Sequence, residues 1–190
     1  EAAANNVPLA VRLTGQLDTD ALDAALRDVV ARHEVLRTVY PETDGVGHQV
    51  VLPASQAQFA LPVVDTDSDE IESAAAEFAL RGFDVTERPP LRALLLRVSD
   101  AEHVLVVVLH HIATDGFSMG PLVRDVVTAY ASRSTGAAPV WAPLPVQYAD
   151  FAIWQRSVLG SEDDATSVVS QQLSYWTRQL AGIPEQLDLP

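Results

Sequence analysis

Cysteine and lysine are both absent from these 190 residues. Without cysteine there is no disulfide, no thiolate metal site and no cysteine nucleophile. Without lysine, positive charge rests on 12 arginines against 26 acidic residues, for a formal net charge of -14. That balance argues against a nucleic-acid partner, because phosphate contacts need clustered cations. It also disfavours an anionic membrane surface. No apolar run reaches the roughly 18 residues of a membrane span. The opening Glu1-Ala-Ala-Ala-Asn5-Asn6 lacks the charged and apolar regions of a signal peptide. Hydrophobic residues nevertheless make up 48% of the chain, enough to bury a core of one domain or one large lobe. The expectation is a soluble, acidic, cytoplasmic α/β protein with neither a nucleic-acid nor a membrane partner.

What is present is a regular alternation of strand and helix patterns. Val7, Leu9, Val11 and Leu13 alternate as a strand does. A helix follows from Asp18, with Leu22, Leu26, Val29, Val30 and His33 at helical spacing. Segments 36–40 and 48–52 flank Asp44-Gly45 and predict a hairpin. A short strand over 61–65 and a helix over 67–80 come next, the helix with acidic residues in its first turn. Strands over 91–98 and 103–109 form an antiparallel pair, with the second inside the sheet. Helices are predicted over 121–132, 146–159 and 167–181, with a proline-rich loop over 136–145 and an extended tail over 184–190. That order suggests a layered sheet with helices packed on it.

The stretch on which the rest turns is Val104 to Pro121. Six aliphatic residues, Val104 to Leu109, read as a strand buried on both faces. They run into His110 and His111, then Asp115, Gly116 and a helix opening at Pro121. Adjacent strand residues point to opposite faces, so the two histidines do not easily share a metal ion. Gly116-Phe-Ser118-Met-Gly120 fits the nucleophile elbow of serine hydrolases. That fold needs its histidine after the serine, and none follows His111. Acyl transfer without an enzyme-bound intermediate uses every unusual residue of the stretch. One histidine faces a cavity as base or hydrogen-bonding group, and the other packs inward and holds the loop. Asp115 fixes that loop through an arginine, and Gly116 allows a close backbone approach. A neutral imidazole can accept the proton of an attacking amine.

His110-His111-Ile-Ala-Thr-Asp115-Gly116 resembles the HHxxxDG signature of nonribosomal peptide synthetase condensation domains, of the chloramphenicol-acetyltransferase-like superfamily. Further segments resemble the family in order. They are Arg32-His33-Glu34-Val35-Leu36-Arg37-Thr38, Phe83-Asp84-Val85 with Pro89-Pro90-Leu91-Arg92, Tyr148 to Arg156, and Tyr175-Trp176 with Gln179 to Gly182. The resemblance implies an α/β sandwich, with residues 1–160 as an N-terminal lobe. Residues 161–190 would be a mobile loop, a helix and a crossover toward a C-terminal lobe. It implies peptide-bond formation between carrier-bound acyl or peptidyl and aminoacyl thioesters, with the lobe alone inactive. His111 would be the catalytic or positioning group, with His110, Asp115 and Gly116 shaping the site. Asp115 in the family usually pairs with an arginine, for which Arg37 and a residue of the C-terminal lobe are equal candidates. No cofactor would bind directly, since phosphopantetheine arms deliver both substrates. Partners would be donor and acceptor carrier domains, the C-terminal lobe and a neighbouring adenylation domain. Two alternatives stand beside this: a docking platform of the same fold, and a truncated hydrolase using Ser118. Some relatives in the family it resembles recruit partner enzymes and have lost the first histidine, whereas His110 and His111 both remain here. Arg32, Tyr148 and Trp154 are expected to pack or lie on helix surfaces.

Overall fold

The computed structural model describes residues 3–184 and residue 186. The chain forms two compact units, residues 1–145 and 146–190.

The first unit opens with β1 (Asn6–Thr14), α1 (Thr19–Arg32), β2 (Thr38–Val39), β3 (Glu42–Thr43), β4 (Val46–Gly47) and β5 (Val50–Val51). It continues with β6 (Val63–Asp65), α2 (Ile71–Leu80), β7 (Leu91–Ser99), β8 (Glu102–His110) and α3 (Met119–Arg133). The main sheet has the order β1-β8-β7-β6. β8 is antiparallel to both neighbours, while β6 runs parallel to β7. Apolar residues of helices pack on both faces of this strand, and Val104 to Leu109 are all buried.

Strand alternation sorts that run into two cores. Leu105, Val107 and Leu109 join Leu22, Leu26 and Val29 of α1 and Ala129 of α3. Val104, Val106 and Val108 join Ile71 and Phe78 of α2, with Phe83 and Val85 beyond it. The unit is thus a three-layer sandwich, with α1 and α3 on one face of the sheet and α2 on the other. Asp18 starts α1, its side chain accepting from the Ala21 amide at 2.9 Å. Asp18→Ala is expected to lower stability by about 1 kcal/mol, the usual loss for a truncated N-cap. A lower urea midpoint at unchanged slope would show it.

The expected hairpin forms, but in pieces. β2 pairs with β5, and β3 with β4 nested inside them. Asp44 and Gly45 have φ of 53° and 76°, the positive values that a two-residue hairpin turn demands. Leu36 and Arg37 lie instead in a short 3-10 turn, Glu34–Arg37. α3 begins at Met119, two residues before the proline. Pro121 is tolerated there because the first amides of a helix have no partner within it.

The second unit is a pair of helices, α4 (Tyr148–Leu159) and α5 (Val168–Gln179). Asp150 accepts from the Gln147 amide at 2.8 Å, closing a capping box at the start of α4. Gly160 ends that helix at φ 76°, where a Cβ would stand 2.9 Å from that of Ser167. Tyr148, Phe151 and Trp154 form an exposed aromatic row along α4, with ring centroids 5.8 and 5.6 Å apart. Most of the tail expected over 184–190 lies outside the described residues. Among the described residues, no helix is long and apolar enough to cross a membrane.

Candidate active site

The histidine pair sits where β8 leaves the sheet. Its backbone is held from both sides: the His110 amide donates to Pro90 O and the His111 amide to Asn5 O, at 2.9 and 2.8 Å. Opposed amides mean opposed side chains. His110 falls on the α2 face, half-buried, with its ring edge-on to Phe83 at 6.0 Å between centroids. Its Nδ1 accepts from the Ile112 amide at 3.1 Å. In the neutral ring the proton therefore sits on Nε2. His111 follows on the other face and is exposed. No hydrogen bond ties its ring among the described residues.

Asp115 also lies at the surface, four residues beyond His111. Its Oδ1 accepts from the Ser118 hydroxyl at 2.6 Å and from the Ser118 amide at 2.9 Å. Those bonds, first the hydroxyl and then the amide, hold its carboxyl below the usual carboxylate range. The Phe117 amide and the charge of His111 add to the effect. Among the described residues no arginine pairs with Asp115, so the candidate Arg37 is not its partner. Arg37 donates to Leu52 O and pairs with Glu34 at 3.4 Å. Glu34 lies three residues before Arg37 in one 3-10 turn, and Asp115 is satisfied by its own loop. Gly116 has open space where a Cβ would stand. The fold of this unit does not itself require glycine there.

On the α1 and α3 face of the sheet is an apolar cavity of about 190 Å³. Leu9 and Val11 of β1, Leu105 and Val107 of β8, and Leu122 and Val126 of α3 are among its lining residues. A second feature was not foreseen from the sequence. Buried Asp125 of α3 accepts from Arg32 Nε at 3.0 Å and contacts His33 Nε2 at 2.8 Å. Arg32 also donates to Ala142 O and lies over the Trp141 ring, pinning the loop after α3 to α1. The only trace of this in the sequence is an isolated acid within a helix of otherwise apolar inner face.

Residues 1–190 match the condensation domain family along their whole length. The chain belongs to that family. This condensation domain is 52% identical over 188 residues to the isonitrile lipopeptide synthase of Mycobacterium tuberculosis, covering 97% of the chain and 8% of that protein. It is 46% identical over 185 residues to the dimodular nonribosomal peptide synthase of Bacillus subtilis, again 97% and 8%. The chain thus spans less than a tenth of these two relatives. In the solved complex of the X-domain and OxyB from teicoplanin biosynthesis, the similar chain superposes with a TM-score of 0.91 at 41% identity. That match covers 98% of this condensation domain and 40% of the other chain.

Proposed function

We propose that this condensation domain forms peptide bonds, as the histidine-bearing lobe of a cytoplasmic nonribosomal peptide synthetase. The observation that carries the reading is the exposed, untethered imidazole of His111 on a loop whose backbone is held from both sides. The donor is an acyl or peptidyl thioester and the acceptor an aminoacyl thioester, each on the phosphopantetheine arm of its carrier domain. The acceptor amine attacks the thioester carbonyl, a C–N bond forms and the C–S bond breaks. His111 takes the amine proton and returns it to the departing thiolate. An α-amino group near pKa 8 is largely protonated at neutral pH, so a neutral imidazole nearby favours the reactive form. Asp115 and Ser118 hold the loop, and Gly116 leaves room for the arms. Completing the site falls to a C-terminal lobe, and supplying it to an adenylation domain and two carriers.

The test is transfer between donor- and acceptor-loaded carriers by this chain and by a longer synthetase carrying it. Product from the longer protein alone is expected. No product from either would reject the reading. A docking role is the second reading, favoured by the likeness to an X-domain solved with OxyB. The hydrolase alternative finds no support in the geometry, since the Ser118 hydroxyl donates to a carboxylate rather than to an imidazole. A fluorophosphonate probe is expected to leave Ser118 unlabelled, and covalent capture there would restore the hydrolase.

A further inference from the structure

We propose that the turn at the C-terminal end of α2 positions the histidine loop, through Asn6, Arg92 and Phe83. This rests on His111 being the reacting group. Asn6 stands opposite His110 on β1, and Arg92 stands opposite Val108 on β7, so the two residues flank β8. Both reach across the sheet face to one turn. Asn6 Nδ2 donates to Ala79 O at 2.7 Å and to Arg81 O at 2.8 Å. The Arg92 guanidinium donates to Phe78 O at 3.1 Å, to Gly82 O at 3.3 Å and to Arg81 O. Phe78 O and Ala79 O are among the carbonyls that a helix end leaves without partners, Arg81 O and Gly82 O follow directly, and a cation there also suits the helix dipole.

The grip continues to the histidine. Arg92 lies 4.1 Å from the centroid of the Phe83 ring, over its face. Phe83 is buried and meets His110 edge-on, at 84° between ring planes. A cation over one ring and an edge contact to the next leave the imidazole one comfortable orientation. In that orientation Nδ1 receives the Ile112 amide and fixes the first turn of the loop. Asn6, Arg92 and Phe83 touch no reacting atom. They act through His110 on the placement of His111.

Histidine ¹⁵N spectroscopy on this chain is expected to show His110 as a single Nε2–H tautomer. Phe83→Leu is expected to give an averaged ring and an Ile112 amide that exchanges faster, with Phe83→Tyr restoring both. In a longer synthetase, Phe83→Leu should lower kcat by about tenfold at unchanged KM for both loaded carriers, the effect of slight misplacement. An unchanged His110 ring and Ile112 exchange in Phe83→Leu would overturn the proposal. Should that variant not fold, Arg92→Lys decides, because it keeps the charge and loses the fork. The same spectral change is expected there, and its absence overturns the proposal. A spectral change in a synthetase that transfers nothing even when unaltered would uphold the positioning and reject the catalytic reading.

Discussion

Replacing His111 with alanine is expected to slow peptide-bond formation by about 100- to 10,000-fold, the range that a general acid–base group contributes. The loss should fall on kcat, with KM for the loaded carriers little changed. The structure says why this substitution separates chemistry from folding. The imidazole is exposed, and no hydrogen bond among the described residues depends on it. What holds residue 111 in place is its amide, bonded to Asn5 O, and alanine keeps that amide. Thermal unfolding of the variant should therefore overlay the parent. His110→Ala differs, because it removes the ring that meets Phe83 and the acceptor for Ile112. Its loss of activity should come with a loosened loop. Full transfer by the His111→Ala protein would make that ring dispensable to the chemistry.

The two histidines differ in surroundings because of strand parity, and parity is legible in sequence. Val104 to Leu109 is a continuous apolar run, so β8 had to be a central strand, and its alternation divides the histidines between faces. The turn at Asp44-Gly45 and the helix start at Asp18 were legible for another reason: each needs a residue type that few others can replace. Long-range partners were not. Nothing local tells Arg37 to choose Leu52 O and Glu34 over Asp115. Nor does periodicity reveal that Asn6 and Arg92, far apart in the chain, close on one turn. Asp115 to Ser118 was closer to reach, since an acid three residues before a helix-opening serine is the spacing of a local cap. The letter match to a nucleophile elbow drew attention to the same serine for a different reason.

Asp125→Ala is expected to cost the fold about 3 kcal/mol, because removing one partner of a buried ion pair leaves the others uncompensated. Asp125 is buried, and Arg32 and His33 both meet its Oδ2. Charge-assisted bonds of this kind are worth more than neutral ones. Burial alone would raise the Asp125 carboxyl. The hydrogen bonds from His33 and Arg32, with the charges of both, outweigh burial and hold it below its ordinary value of 3.8. A carboxyl whose folded value is lowered adds stability in full above the unfolded value and loses it as pH falls through the folded one. Denaturant midpoints should therefore separate parent and Asp125→Asn widely at neutral pH. The gap should narrow only as pH falls below about 3.8, from the range of the unfolded chain's carboxyl down through the lower one of the folded protein. A gap that stays constant into that acid range would mean that the cluster works by packing alone. The lost link would also free Arg32 from α3, and with it the Trp141 and Ala142 loop that Arg32 holds. Faster proteolysis within 136–145 should accompany the fall in stability, because that segment loses one of its anchors while Trp141 keeps its packing on the core.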